Sequence, residues 1–290
     1  MRAGGTAVIE VSGELLPATL SSDELRAAAR LAGRAALPAF ATGWDPQEAA
    51  VADAVALRGL LARGLAGIVD PNGCPAVELT GPAWSALGPL LAPDTLVEVT
   101  VDASTGRRRH LVGGLAGRTL LATERHPAIW QISPDARAPE AVALVVVDLP
   151  AGAAAESAVR MVVDPRTLAE AEVSQSRDST GLPALLHGRG LSTEVARELA
   201  GVLPAVRATV TVRLVRQVDA TTSAAGVVSW LDAGATGSWL VQPAESADDD
   251  ADADDDAPGP LLLELVPASP AVVRDAVVGL LSPQEALCVR

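Results

Sequence analysis

The sequence predicts an α+β fold made of two pseudo-equivalent halves within a single domain of 290 residues. Three features recur in the same order: a strand-like run that leads into a helix, an apolar helix that breaks at a proline, and a meander of strands closed by a proline-started helix. Strands with one apolar face must pack against another layer. The two halves, residues 6–150 and 156–281, can therefore join edge to edge into one larger sheet with helices at either end.

The first half opens with a predicted strand at 7–11 and two capped helices. Residues 21–24 form a capping box, in which a serine hydroxyl and a glutamate carboxylate accept each other's free backbone N–H groups. Residues 45–48 form a second one, with a proline where its missing N–H costs nothing. The second helix is expected to end near Gly64. Its apolar residues form two i,i+4 pairs, which are Val51 with Val55 and Leu57 with Leu61.

A turn-rich stretch at 70–75 and a short helix around Trp84 and Leu87 come next in the first half. Alternating residues then predict a meander of four strands, near 96–102, 108–115, 118–123 and 128–133. Residues 139–149 are ambiguous, because their valines favour a strand while the proline-marked start favours a helix. The internal repeat favours the helix.

The second half repeats this order. A strand at 158–163 precedes a helix that starts at 164–165, and the stretch 174–190, rich in Ser, Gly and charge, is interpreted as a loop. A helix at about 192–203 follows, and the closing helix starts at 269–270. The four strands between these two helices are expected near 206–218, 226–231, 237–242 and 261–266.

The net charge of −14 disfavours a nucleic-acid partner, because affinity for nucleic acid comes from clustered cations. Half of this charge comes from seven aspartates between the last two predicted strands. We interpret residues 247–258 as an acidic disordered insertion, because like charges at this density repel and stay solvated. Weak cation binding is the alternative, but the run lacks the glycine-centred loop and terminal glutamate of an EF-hand calcium site.

The sequence gives no sign of a membrane or export segment. No uncharged apolar run is long enough to span a membrane, and the N-terminus lacks the apolar region of a signal peptide. Cys74 and Cys288 lie far apart, without a C-x-x-C motif, which fits a reduced cytosol. We therefore expect a cytoplasmic protein without membrane insertion.

Signals for catalysis are weak throughout the chain. It contains no G-x-S-x-G, H-E-x-x-H or Walker A sequence, and the glycine fragment at 188–190 follows no predicted strand. The histidines are scattered, and His126 is interpreted as a surface turn residue rather than a general base. Trp230 and Trp239 are interpreted as strand residues that pack on a helix, with a ligand box as the alternative. We predict no catalytic residue, no cofactor and no metal site.

An ordered set of motifs resembles the EspG family, accessory proteins of actinobacterial ESX (type VII) secretion. In the first half the set comprises residues 57–65, an Asp-Pro turn, residues 87–94 and the meander. In the second half it comprises residues 158–171, the hairpin of 228–232 with 237–241, which is similar to the family's S-W-x-D…G-x-aromatic-L hairpin, and the closing 266–281. The likeness covers about residues 6–281, and its weight lies in the order of the motifs, since no single one is diagnostic.

The resemblance implies a pseudo-twofold fold with a central antiparallel sheet flanked by helical bundles. It also implies a non-enzymatic cytosolic chaperone that binds the tip of a PE–PPE-like heterodimer. Such a chaperone keeps this helical client soluble and helps direct it to the matching secretion machine. The aspartate insertion is not part of the family pattern.

The resemblance also implies a contact site. In the family, the loop between the second and third strands takes part in client contact, and counted from the N-terminal strand this loop is 102–108 here. It contains most of the chain's one arginine cluster, which by itself is interpreted as a solvated hairpin tip, with partner contact as the alternative. The expected contact residues are Asp102, Ser104, Thr105, Arg107, Arg108 and Arg109.

Two other classes of function stay open from the sequence. One is a small-molecule enzyme or regulator, which needs titratable groups that converge in a cavity. The other is a structural protein that self-associates, and the sequence does not specify the oligomeric state. A chaperone would instead expose an apolar patch without such titratable groups.

Overall fold

A computed structural model describes residues 19–41, 43–70, 74–147, 149, 154–155, 157, 159–175, 181–217, 223–244 and 262–282. The strand predicted at 7–11 and the acidic insertion predicted at 247–258 lie outside the described residues. The described part is a mixed helix-and-strand structure with one large central antiparallel sheet.

The first half contains seven strands and four helices among its described residues. In chain order these are β1 (Thr19–Ser21), α1 (Ser22–Leu31), α2 (Pro46–Ala62), β2 (Ala66–Val69), β3 (Ala76–Leu79), α3 (Gly81–Leu91), β4 (Thr95–Ala103), β5 (Gly106–Leu115), β6 (Arg118–His126), β7 (Ile129–Asp135) and α4 (Pro139–Val146). Residues 139–146 are therefore helical, as the repeat predicts.

The second half contains five strands and four helices among its described residues. They are β8 (Met161–Val163), α5 (Pro165–Gln175), α6 (Leu182–Gly188), α7 (Thr193–Val202), β9 (Ala208–Gln217), β10 (Ser223–Asp232), β11 (Ser238–Pro243), β12 (Leu263–Ala268) and α8 (Pro270–Leu281). None of the helices in the described part of either half is long and apolar enough to cross a membrane.

The large sheet has ten strands in the order β1-β7-β6-β5-β4-β9-β10-β11-β12-β8. Each meander therefore pairs strands that are consecutive in the chain, and each half ends the sheet with its own short first strand. β1 pairs antiparallel with β7, and β8 pairs antiparallel with β12. This shared order within each half supports the predicted internal repeat, while the twofold axis itself stays a prediction.

The chain divides into two compact units, which do not coincide with the halves. The first unit comprises the described residues of 1–96, 110–142 and 216–222, and the second comprises those of 97–109, 143–215 and 223–290. β4 and β5 each contribute residues to both units, because they cross the boundaries at 96–97 and 109–110.

Helices α1 and α2 of the first unit begin at the two predicted capping boxes. The Ser21 hydroxyl accepts the Glu24 N–H, and the Glu24 carboxylate accepts the Ser21 N–H. Asp45 and Glu48 make the same reciprocal pair at the start of α2. Two backbone bonds around Gly64, which has φ of +70°, close the end of α2. Both predicted helix starts and the predicted end are confirmed.

The core of the first unit joins α1, α2 and α3 to one another and to strands β1, β5, β6 and β7. Trp130 on β7 is fully buried and meets the Phe40 ring edge-on, with 5.4 Å between ring centroids. The Trp130 indole N–H donates to Ser22 Oγ at 2.9 Å, which satisfies the polar end of this side chain. Other buried members of the cluster are Leu25, Leu60, Leu87, Leu90, Leu111, Leu120 and Ile132.

An ion-pair network joins α1 to α2. Asp53 on α2 accepts hydrogen bonds from Arg30 and from Arg26, whose Nη2 lies 3.0 Å from Asp53 Oδ1. Arg26 also pairs with Asp23 at 2.9 Å. The Arg30 hydrogen bond, followed by that of Arg26, lowers the pKa of Asp53 below its usual value, although burial opposes this shift.

The core of the second unit joins α5, α6 and α7 to strands β8, β10, β11 and β12. Trp239, Leu231 and Leu265 lie on one sheet face of this cluster, and Leu182 and Leu186 lie on α6. The prediction of a loop over 174–190 is wrong for residues 174–175, which end α5, and for residues 182–188, which form α6. The buried i,i+4 leucine pair makes a helix there, which the polar composition of the whole stretch had masked.

All eight meander strands are confirmed within about three residues of their predicted bounds. The sequence analysis missed the hairpin of β2 and β3, which pair with each other in a separate two-stranded sheet. Each of these strands has only four residues, which is too short to show a clear alternation beside the turn-rich stretch that joins them.

Candidate functional site

The expected contact residues lie together at the tip of the β4–β5 hairpin. The structure gives this tip a tight two-residue turn, Ser104 and Thr105, rather than a loop. Gly106 follows with φ of +116°, a conformation that favours glycine. Asp102 therefore lies near the end of β4, and the three arginines lie at the start of β5.

An ion pair clamps this tip. Arg107 Nε lies 2.6 Å from Asp102 Oδ1, and Arg107 Nη2 lies 3.1 Å from Asp102 Oδ2. This is the bidentate geometry that a guanidinium makes with a carboxylate. Both side chains stay largely accessible, so the pair orders the tip but adds little stability.

Arg108 and Arg109 follow Arg107 along β5 and point alternately to the two faces of the hairpin. Arg107 and Arg108 are exposed, whereas Arg109 is half-buried. The tip therefore presents two accessible guanidinium groups, one on each face. Such groups can make several hydrogen bonds to a protein partner while their stems pack on apolar surface.

The β2–β3 hairpin changes how the strands are counted. If only the strands of the large sheet are counted in chain order, β1 is the first, β4 the second and β5 the third. The predicted contact tip then lies between the second and third strands. If every strand is counted, the second and third are β2 and β3, which the stretch 70–75 connects. Residues 71–73 of that stretch lie outside the described residues.

A shallow groove of about 460 Å³ lies beside edge strand β8 in the second unit. Glu264, which lines this groove, accepts a hydrogen bond from Gln242 at 2.8 Å and pairs with Arg160 at 3.4 Å. The exposed Val162 adds an apolar wall. The Glu264 carboxylate in this groove is thus engaged with two neighbouring side chains.

A cleft of about 330 Å³ in the first unit also holds charged groups. Glu140 pairs with Arg216 at 3.0 Å, and Arg118 donates to Ser85 Oγ at 2.8 Å. Arg137 pairs with Asp135, and hydrogen bonds from Arg137 lower the pKa of Asp135 to about 2. The carboxylates of Glu140 and Asp135 are thus each paired with an arginine.

The histidines occupy structural positions. His126 is exposed at the end of β6, beside the turn to β7, as predicted. His110 Nδ1 lies 3.1 Å from Thr123 Oγ1 across the β5–β6 ladder. His187 Nδ1 lies 3.1 Å from the Leu191 carbonyl oxygen at the end of α6. The described residues contain no group of three or more His, Cys, Asp or Glu side chains that could bind a metal ion.

Trp230 and Trp239 are buried strand residues, as predicted, and they do not form a ligand box. Trp230 pairs with Leu240 and Trp239 with Leu231 across the β10–β11 ladder, which places the two indoles on opposite faces of the sheet. Neither indole N–H has an acceptor among the described residues.

An accessible apolar surface on α2 was missed by the sequence analysis. Val51 and Val55 point into solvent, whereas Ala56 and Leu60 form the buried side of the helix. Trp44, just before α2, lines a groove of about 430 Å³ with the start of this surface. The signal was present in the sequence, because the apolar pairs of α2 lie on two sides of the helix and one side alone can face the core.

The three-dimensional fold is similar to that of a known secretion protein. The chain matches the Mycobacterium tuberculosis type VII secretion system chaperone EspG5, solved in complex with a PE25–PPE41 dimer, with a TM-score of 0.50 and 15% sequence identity. The match covers 91% of this chain and 95% of that chain. No family model and no curated protein matches the sequence. At this identity the similarity is one of fold, and it extends over nearly the whole of both chains.

Proposed function

We propose that this chain is a cytosolic, non-enzymatic chaperone of ESX (type VII) secretion. Its client is a secreted helical protein, a PE–PPE-like heterodimer, whose apolar tip it covers. Binding keeps the client soluble and directs it to the secretion machine. The observation that carries the proposal is the fold similarity to EspG5, because it spans nearly the full length of both chains.

Two further observations support a binding function. The charged groups in the two clefts described above are engaged with one another, whereas a catalytic site needs titratable groups that converge on a reacting atom. The β4–β5 tip instead offers accessible arginines in a fixed geometry. Pre-ordered arginines of this kind serve recognition, since less side-chain entropy is lost on binding.

The proposed contact uses the tip residues Asp102, Ser104, Thr105, Arg107, Arg108 and Arg109. Arg108 is the probe of choice, because its side chain is exposed at the tip whereas that of Arg109 is half-buried. The two turn residues would approach the client backbone, while the guanidinium groups bond polar groups around its apolar tip.

The first test is co-purification. Tagged chain expressed with PE–PPE pairs from its own genome should retain at least one pair in soluble form. Calorimetry on that complex should then show that Arg108→Glu weakens binding by roughly 1–3 kcal/mol if the arginine is central in the contact.

Two control variants make the result interpretable. Arg197→Glu reverses an exposed arginine on α7, which makes no ion pair within the described part of the chain, and should leave client affinity unchanged. Asp102→Arg combined with Arg107→Glu keeps an ion pair at the tip but inverts its polarity, so it separates loss of tip structure from loss of client contact. Full affinity in a folded Arg108→Glu variant would remove the tip from the contact, and failure of every client pair to co-purify would remove the proposed function.

A further inference from the structure

Helix α2 presents an unusually apolar face to solvent. Val51 is 65% exposed, Val55 is 60% exposed, and Trp44 beside them is 49% exposed. Helices that are apolar all round are normally buried. The one acidic residue in the middle of α2, Asp53, points to the opposite side and pairs with Arg26 and Arg30. The exposed face therefore has charge at its two ends only.

The spacing of the exposed residues is that of a helix–helix seam. Exposed residues of α2 follow one another at intervals of three, four, three and four positions, the spacing by which helices pack side by side. They are Glu48, Val51, Val55, Arg58 and Ala62. At a rise of about 1.5 Å per residue, this seam runs for about 21 Å.

The seam is complementary to itself when a second copy of α2 runs antiparallel to it. A twofold axis at the level of residue 53 places Val51 opposite the second copy's Val55. The same axis places Glu48 opposite the second copy's Arg58. Apolar and charged matches therefore arise from one operation, as an isologous twofold contact requires.

The two charged residues of the seam, Arg58 and Glu48, support a second copy of α2 as the partner. Arg58 is exposed and has no ion pair or hydrogen bond within the described part of the chain. Glu48 accepts only the Asp45 N–H of its own capping box at 3.2 Å, which leaves its second oxygen accessible. A partner helix of unrelated sequence would have to supply both a cation and an anion at the matching distance, whereas a second copy supplies them by symmetry.

We propose that α2 is a homodimerisation surface, on which two copies of this chain pair their α2 helices antiparallel about a twofold axis. Each copy contributes the exposed face of a single helix to the contact. It is smaller than a standard stable interface of about 800 Å² per partner, so the dimer forms reversibly at higher protein concentration.

Sedimentation of the full chain over a broad concentration range tests the proposal directly. Wild type should shift reversibly from monomer to dimer. Val51→Asp should weaken the dimer by more than about tenfold in dissociation constant, because each dimer buries the new charge twice. Val145→Asp on α4 is the matched control, since Val145 is also a helical valine with 65% exposure, and it should leave the dimer unchanged.

Cross-linking then tests the direction of the helices. In a background with Cys74→Ser and Cys288→Ser, chains with Val51→Cys mixed with chains with Val55→Cys should form a disulfide-linked pair faster than either variant alone. In the antiparallel pair these two positions lie at the same level, whereas two copies of position 51 are offset by about 6 Å along the axis.

The outcomes separate cleanly when circular dichroism shows that the variants are folded. Dimers that weaken with Val51→Asp but not with Val145→Asp, together with preferred cross-linking of 51 to 55, support the proposal. A wild-type chain that stays monomeric at every concentration overturns it. A dimer that persists in Val51→Asp also overturns it. If the wild type never dimerises and Val51→Asp loses client binding, the proposal is likewise overturned, and this face belongs to the client contact.

Discussion

The two halves of the chain build the same strand order with different interiors. In each, a short edge strand lies beside the fourth strand of a meander and runs into a helix: β1 leads to α1 and β8 to α5. In the first half, Ser21 accepts the N–H that opens the helix, and in the second half Asp164 does so. The common framework is thus set by local capping and strand alternation.

The interiors differ in how closely a meander glycine approaches its neighbour and in whether a buried indole N–H has an acceptor. In the first half, Gly113 on β5 lies directly against the backbone of α3, and the buried Trp130 indole has its hydrogen-bond acceptor. In the second half, Gly226 on β10 lies against the flexible end of Leu280, and the buried Trp239 indole N–H has no acceptor among the described residues. At these two pairs of positions the second half should therefore tolerate substitution better than the first.

The largest expected difference concerns the meander glycines. A methyl group added at Gly113 would lie 1.9 Å from the Pro89 carbonyl oxygen, and this backbone atom cannot move aside. Gly113→Ala should therefore cost about 3 kcal/mol or more. At Gly226 the methyl group would meet the Leu280 Cδ1 at 2.6 Å, and the leucine can change rotamer. Gly226→Ala should cost about 1 kcal/mol or less. Urea unfolding of both variants measures the difference, and equal costs would break the comparison.

The buried tryptophans provide the second comparison. Trp130→Phe and Trp239→Phe remove the same atoms from fully buried sites, but only the first breaks a hydrogen bond and strands the buried Ser22 hydroxyl. We expect Trp130→Phe to be the more destabilising by about 1 kcal/mol. The free energy of unfolding in urea checks this value.

A double-mutant cycle isolates the hydrogen bond in the first half. Trp130→Phe loses stability both through its smaller volume and through the broken hydrogen bond. Ser22→Ala should lose nearly as much free energy of unfolding as the hydrogen-bond part alone. The losses of the two changes together should be less than additive. Strict additivity would mean that the Trp130–Ser22 contact contributes nothing, and the contrast between the halves would then need another cause.

The sequence predicted well those features that depend on neighbouring residues. The capping boxes at 21–24 and 45–48 are local, because donor and acceptor are three residues apart. The meander strands show their alternation directly. The two apolar pairs of α2 imply that one of them is exposed, but the exposure of Val51 in particular depends on which side of α2 meets α1. The bidentate Asp102–Arg107 pair could not be predicted, because it depends on the register of β4 against β5.

The third comparison concerns two aspartates with lowered pKa. Hydrogen bonds from Arg30 and Arg26 lower the pKa of Asp53, and hydrogen bonds from Thr167 lower that of Asp164. A lowered native pKa stabilises the fold fully above the usual aspartate value of about 3.9, and this contribution is lost as the pH falls through the native value. Asp53→Asn should therefore cost about 1 kcal/mol at neutral pH, with less effect at high salt.

The second-half counterpart should respond more weakly. Asp164→Asn keeps an oxygen that can accept the Thr167 N–H, and asparagine is as good a helix cap as aspartate, so we expect a loss of a few tenths of a kcal/mol at most. Unfolding followed from neutral to acidic pH checks both variants. An Asp53→Asn penalty that stays constant down to the lowest pH would show that the carboxylate charge is not its source.

A fourth comparison concerns the turns that connect the second and third meander strands. The first half places an alanine, Ala116, at φ of +50°, whereas the second half places Gly234 at +61° in its corresponding turn. Glycine adopts this left-handed region without the steric cost that an L side chain meets there. Ala116→Gly should therefore stabilise the protein by about 0.5–1 kcal/mol, while the N–H of residue 116 keeps its bond to Asp94 Oδ2 at 3.2 Å. Gly234→Ala should instead destabilise it, since the added methyl group would also press on the Arg207 guanidinium. Thermal unfolding of the two reciprocal variants measures both signs, and a stability loss in Ala116→Gly would mean that the first-half turn is held by more than its backbone geometry.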